Sequence, residues 1–186
     1  MSKIAIFIDG GYLDKVLKKD FKGARIGYEA FSREIAAQIR PPATILRTYY
    51  YHCLPFKSSS PTPEDSRRFG SMEKFLNFLK GLPRFEVKEG RLARRGPDKD
   101  GKYDYEQKMV DVLLSIDLVR LSAKGQITDI ALVAGDSDFV PAIEVAKSEG
   151  VSVWLFHCSS RHNELWKTAD ERIEITQNFV NKILSP

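Results

Sequence analysis

The sequence predicts an α/β fold, a three-layer sandwich of Rossmann-like plan with a central, mostly parallel sheet of about five strands. Three observations predict it. Residues 4–8 (IAIFI) and 130–133 (IALV) are unbroken apolar runs, and 151–156 (VSVWLF) is nearly one. Such runs mark strands buried on both faces, which is the situation in a parallel sheet covered by helices. Segments with helical apolar spacing fill the intervals between them, and charged residues gather directly after the apolar runs.

Taken in order, residues 4–8 form the first strand and, being short and wholly apolar, the central one. Residues 28–39 place Phe31, Ile35 and Ile39 on one helical stripe that Pro41 and Pro42 end. The second strand, 44–51, is rich in β-branched and aromatic residues. Residues 64–79 repeat the helical pattern through Phe69, Met72, Phe75, Leu76 and Leu79, and a short strand follows at 85–88. Residues 107–121 form a helix with Val110, Leu113, Leu114, Leu118 and Leu121 on its apolar side. After the strand at 130–133, a helix over 139–148 has Pro141 in its first turn and Gly150 as its stop. A short helix over 177–184 closes the chain. Residues 57–63 (KSSSPTP) and 90–102 are expected as loops.

The 186 residues suit one domain over 1–186, with 42% hydrophobic and 29% charged residues. No run reaches the roughly 20 apolar residues of a membrane helix, and the N-terminus lacks signal-peptide features, so the chain is read as cytoplasmic. Cys53 and Cys158 fit neither a disulfide framework nor a metal-ligand spacing. The net charge of +4 is mild, but 88–102 concentrates Lys88, Arg91, Arg94, Arg95, Lys99 and Lys102. That segment is either a phosphate-binding surface or a solvated loop.

The chemistry-bearing residues stand at the strand ends. The first strand ends in Asp9-Gly10-Gly11, and the strand at 130–133 leads to Gly135-Asp136-Ser137-Asp138. In an open parallel sheet the carboxyl ends share one edge, where ligands bind. Carboxylates gathered there repel one another unless a cation intervenes, and all-oxygen donors select magnesium or manganese. Asp111 lies near the start of the helix that leads into the Asp136 strand, which should return it to the same edge. Asp9 has a second reading as a turn residue, and Asp138 as the cap of the following helix. Asp117 falls on the apolar stripe of its helix and needs a partner: a metal-bound network, Lys108, or a buried structural hydrogen bond. His52, His157 and His162 are weaker candidates.

Three blocks carry a resemblance: Phe7-Ile8-Asp9-Gly10-Gly11-Tyr12; Gln107-Lys108-Met109-Val110-Asp111-Val112 with Asp117; and Ala134-Gly135-Asp136-Ser137-Asp138-Phe139-Val140-Pro141. They resemble the signature blocks of NYN domains of the LabA-like group, which are similar to PIN domains. The resemblance covers essentially the whole chain. It implies a PIN-like fold with strand order 3-2-1-4-5 and a Mg2+- or Mn2+-dependent ribonuclease. Many relatives carry asparagine where Gly11 and Tyr12 stand, and glycine where Met109 stands.

The expected activity is hydrolysis of phosphodiester bonds in single-stranded RNA, with DNA not excluded. The candidate catalytic residues are Asp9, Asp111, Asp136, Asp138 and Asp117. Asp9, Asp111 and Asp136 are the metal ligands, their oxygens within roughly 4–8 Å of one another. Arg91, Arg94, Arg95, Arg67, Arg68 and Lys108 are the nucleic-acid contacts, with Tyr12 or Tyr50 as stacking surfaces. The alternative is a non-catalytic RNA-binding or regulatory module on the same fold. A haloacid-dehalogenase-type phosphatase would need an aspartate where Gly11 stands, and no phosphate-loop motif is present. Oligomeric state, including a homodimer, is left open.

Overall fold

The computed structural model describes residues 2–55, 61–97 and 103–185, with side chains outside the description over 91–97 and 103–108. Seven strands form one sheet: β1 (Ser2–Asp9), β2 (Ala43–Cys53), β3 (Phe85–Pro97), β4 (Tyr103–Lys108), β5 (Asp129–Val133), β6 (Ser152–His157) and β7 (Glu171–Glu174), in the order β4-β3-β2-β1-β5-β6-β7. Every neighbouring pair is parallel except β3 and β4. The five expected strands therefore lie in the expected order, β1 is central, and one further strand is added at each edge.

β1 is apolar throughout because both of its faces are covered. Ile4, Ile6, Ile8 and Tyr50 pack with one set of helices, α1 (Gly10–Asp20), α2 (Tyr28–Gln38), α3 (Pro63–Lys80) and α7 (Gln177–Lys182). Ala5, Phe7, Tyr49 and Tyr51 pack with the other, α4 (Val110–Ala123), α5 (Val140–Ser148) and α6 (Asn163–Thr168). The run of three tyrosines in β2 is split by the pleat, Tyr50 going one way and Tyr49 and Tyr51 the other. Among the described residues no helix is long and apolar enough to cross a membrane.

Two expectations are corrected. Residues 90–97 are not a loop: β3 continues to Pro97 and returns as β4, with Arg91 opposite Lys108. β2 pairs with β3 only as far as Cys53 and Gly90, so beyond that point the β3–β4 ribbon runs past the carboxyl edge of the sheet. Its charged, glycine-containing strands show no apolar alternation in the sequence, which is why they read as a loop. Gln107 and Lys108 belong to β4, and the helix expected from 107 begins at Val110. The ribbon's return is what brings the start of α4 to the carboxyl edge.

Candidate active site

Asp9 is the last residue of β1 and the N-cap of α1, its carboxylate accepting the Tyr12 backbone N–H at 3.1 Å. The helix starts at once because Gly10 permits it: a Cβ there would come within 2.6 Å of the Tyr50 ring and 2.7 Å of His52. Asp136 follows β5 and caps the 3-10 turn Ser137–Phe139, accepting the Asp138 backbone N–H at 3.2 Å. The cap is thus Asp136, whereas the sequence suggested Asp138, because the chain makes a 3-10 turn before α5 begins. Asp138 is exposed beside it. Asp111 lies in the first turn of α4.

Electrostatics tie these groups together. Burial, opposed by the Tyr12 N–H and reinforced by the charge of Asp111, pushes the Asp9 carboxyl up to about 6 from its ordinary 3.8. Asp111 is also raised, first by removal of water from the protein side and then by the charges of Asp136 and Asp138. Carboxylates from β1, α4 and the turn after β5 therefore repel one another across the carboxyl edge. The charge of His52, whose Nε2 lies 3.1 Å from Asp14, acts in the opposite direction on Asp9. Burial lowers the His52 pKa, but the hydrogen bond to Asp14, the Cys53 carbonyl and the charges of Asp14 and Asp9 outweigh it and raise it.

Asp9 and Asp136 line one cleft of 440 Å³ with Gly135, Lys15, Arg161 and His162 among its other walls. His162 Nδ1 lies 2.9 Å from Ser137 Oγ and 3.6 Å from Asp136. Its backbone N–H donates to Gly135 O at 2.8 Å, which fastens the loop after β6 to the end of β5. The Arg161 guanidinium stacks over Trp166 at 5.2 Å. Lys15 and Arg161 were not legible as site residues. Lys15 would have followed from recognising α1, which sets it two turns beyond Asp9; no spacing in the sequence points to Arg161.

Among the described residues, no three His, Cys, Asp or Glu side chains are gathered closely enough to chelate a metal ion by themselves. Magnesium does not require that. It keeps several waters and binds through one or two carboxylates together with substrate phosphate. The half-buried Asp9 carboxyl, destabilised as an anion, fits a cation at this edge.

The family model for the NYN domain matches residues 3–176. The chain belongs to the NYN domain family. This bears out the resemblance of the three sequence blocks to an NYN domain and relates the chain to PIN-like nucleases. No curated protein matches it. Among solved structures, the crystal structure of Acinetobacter baumannii MurG is similar to it with a TM-score of 0.44 and 12% identity, over 96% of this chain and 43% of that one. The chain thus spans less than half of the MurG chain, and a likeness this weak carries no argument.

The remaining candidate residues take other places in this NYN domain. Asp117 is buried and satisfied by protein groups: Tyr51 Oη donates to it at 3.0 Å, Arg120 at 2.7 Å, and Lys88 Nζ lies 3.8 Å away. Lys88 and Arg120 are its described cationic partners, and the Lys108 side chain lies outside the described ones. Tyr12 and Tyr50 are buried, so neither offers a stacking surface. The Tyr12 ring lies against Gly135, and its hydroxyl accepts the Cys158 N–H at 2.9 Å. His157 is buried, and that burial lowers its pKa. Arg67 and Arg68 are exposed near the start of α3. The side chains of Arg91, Arg94, Arg95 and Lys108 lie outside the described ones.

Proposed function

We propose that this NYN domain, of the LabA-like group by its sequence blocks, is a Mg2+- or Mn2+-dependent nuclease hydrolysing phosphodiester bonds in single-stranded RNA. The observation that carries the reading is the mutual repulsion of carboxylates at the carboxyl edge, with Asp9 raised to about 6. Such an arrangement weakens the metal-free protein and suits a divalent cation. Asp9 and Asp136 are the direct ligands, and Asp111 completes the set or orients the attacking water. A divalent ion bound there supplies an activated water and stabilises charge on the leaving oxygen. Lys15, Arg161 and His162 face the same cleft and hold the phosphate against the acidic wall. Stacking on Trp166 keeps the Arg161 guanidinium in place. Asp138 adds negative charge beside Asp111, and Asp117 acts from behind by fixing α4 against β2 through Tyr51. No covalent protein intermediate is needed.

A non-catalytic RNA-binding or regulatory module on the same fold is the second reading. Asp136→Asn separates them. Asparagine caps a helical turn as well as aspartate does, so the fold is retained. The nuclease reading expects cleavage of single-stranded RNA in the wild type and its loss in the variant. Undiminished cleavage in the variant rejects the assignment of Asp136, and absence of cleavage in the wild type favours the binding module.

A further inference from the structure

A second concavity, of 820 Å³, opens on the α1 side of the sheet and has a lining distinct from that of the acidic cleft. It exists because α3 is only half docked. Of its 18 residues, only Leu76 and Leu79 are buried, both in the C-terminal part. The first turns stand off from α1 and leave a groove floored by Leu17, Ile26, Met72 and Phe75. Phe75 meets Tyr28 and Tyr50 at ring-centroid distances of 5.3 and 5.8 Å, which fixes the floor against the core.

The rim is cationic on both sides. Lys18 and Arg25 stand on the α1 side, Arg67 and Arg68 on α3, and all four are exposed. None has an ion pair among the described residues. Arg67 Nε donates to the Pro63 carbonyl. Asp65, the acid near Arg68, is committed to Thr62 in the capping box that begins α3. Asp14 also lines the groove, but its carboxylate is taken by His52. Asp14 and Asp9 belong to the same stretch of chain, five residues apart, or about 7.5 Å along the helix. The groove therefore begins next to the acidic edge.

Four cations with no ion pair among the described residues, above an apolar floor, complement a polyanion whose apolar faces are free, and a single strand of nucleic acid with unstacked bases has that chemistry. We propose that this groove holds the single-stranded segment flanking the scissile phosphate, its phosphates on the rim and its bases on Met72 and Phe75. The proposal rests on the nuclease reading for its orientation and on the groove alone for its location. A duplex keeps its base faces stacked and gains only the rim.

The test is binding of a labelled single-stranded oligoribonucleotide of roughly 12 nucleotides to the full chain in EDTA, followed by anisotropy over a range of salt, with cleavage kinetics in Mg2+ alongside. The charge reversals Lys18→Glu with Arg25→Glu, and Arg67→Glu with Arg68→Glu, should each weaken binding roughly 10-fold at low salt and flatten its salt dependence. Met72→Trp, which fills the groove, should weaken binding and leave the salt dependence as it is. Should that variant fail to fold, the exposed charge variants decide. Lys124→Glu, at the far end of α4, should bind as wild type, and all groove variants should raise KM and keep kcat. Wild-type binding in the groove variants of a protein that cleaves RNA overturns the groove and leaves the nuclease standing. An equal loss in Lys124→Glu reduces the effect to general charge and overturns it too. Absence of RNA binding by the wild type, with Mg2+ present, removes both readings; capture of an acidic peptide by the same rim would then make it a protein-docking surface.

Discussion

Asp9→Asn should stabilise the metal-free protein, by an amount that depends on pH in a defined way. The substitution keeps the side-chain oxygen that accepts the Tyr12 N–H and removes the charge. In the fold the Asp9 carboxyl titrates near 6; its ordinary value is 3.8. Below 3.8 it is neutral in both folded and unfolded chains and costs nothing. Between 3.8 and about 6 the unfolded chain ionises first, so stability falls as pH rises. Above about 6 the loss is complete, about 3 kcal/mol at roughly 1.4 kcal/mol per pH unit. Asparagine carries no such dependence. Urea unfolding of both proteins in EDTA, from about pH 4 to pH 8, gives the stability difference at each pH, in which every other titrating group cancels to first order. That difference should move by about 3 kcal/mol in favour of the variant across the window. Magnesium should act the other way, stabilising the wild type and not the variant. A pH-independent difference would refute the reasoning, because Asp9 would then not be held as a strained anion.

Three further outcomes are expected. Gly135→Ala should lose about 1–3 kcal/mol in the same unfolding assay, since its Cβ would sit 2.7 Å from Tyr12 Cδ2 and 2.8 Å from the Ser160 carbonyl; wild-type stability would show that the loop after β6 yields freely. Met109→Gly should gain about 0.5–1 kcal/mol, because Met109 is exposed and held at φ 78°, and a loss would mean that its side chain packs on something useful. Asp117→Ala should lose about 2–3 kcal/mol by stranding the Tyr51 hydroxyl and Arg120 and leave Mn2+ affinity unchanged; loss of metal affinity with the fold intact would make Asp117 part of the metal site.

The sequence conveyed the sheet well where strands are buried on both faces. Residues 4–8 and 130–133 read as strands buried on both faces of a parallel sheet, whose carboxyl ends share an edge, so the sequence brings Asp9 and Asp136 together. Asp111 followed from connectivity, although the helix start was misread because β4 has no apolar face to betray it. The departure at Met109, where relatives carry glycine, gains a physical meaning only from its positive φ. α1 was missed since Gly10-Gly11 reads as a turn; the glycine is there because Tyr50 and His52 leave no room for a Cβ. The cationic wall of the cleft was not legible, because Lys15 and Arg161 are brought to it by the packing of α1 and of the loop after β6, and neither sits in a recognisable block.

The central claim is that the carboxylates at this edge hold a cation to cut RNA. Titration of metal-free protein with Mn2+, with binding followed by calorimetry and cleavage of single-stranded RNA read at each step, tests it most directly. Cleavage should rise with bound Mn2+, stop when EDTA removes it, and disappear together with binding in Asp136→Asn. Cleavage that persists in EDTA, or RNA that binds and stays whole at saturating Mn2+, would contradict it.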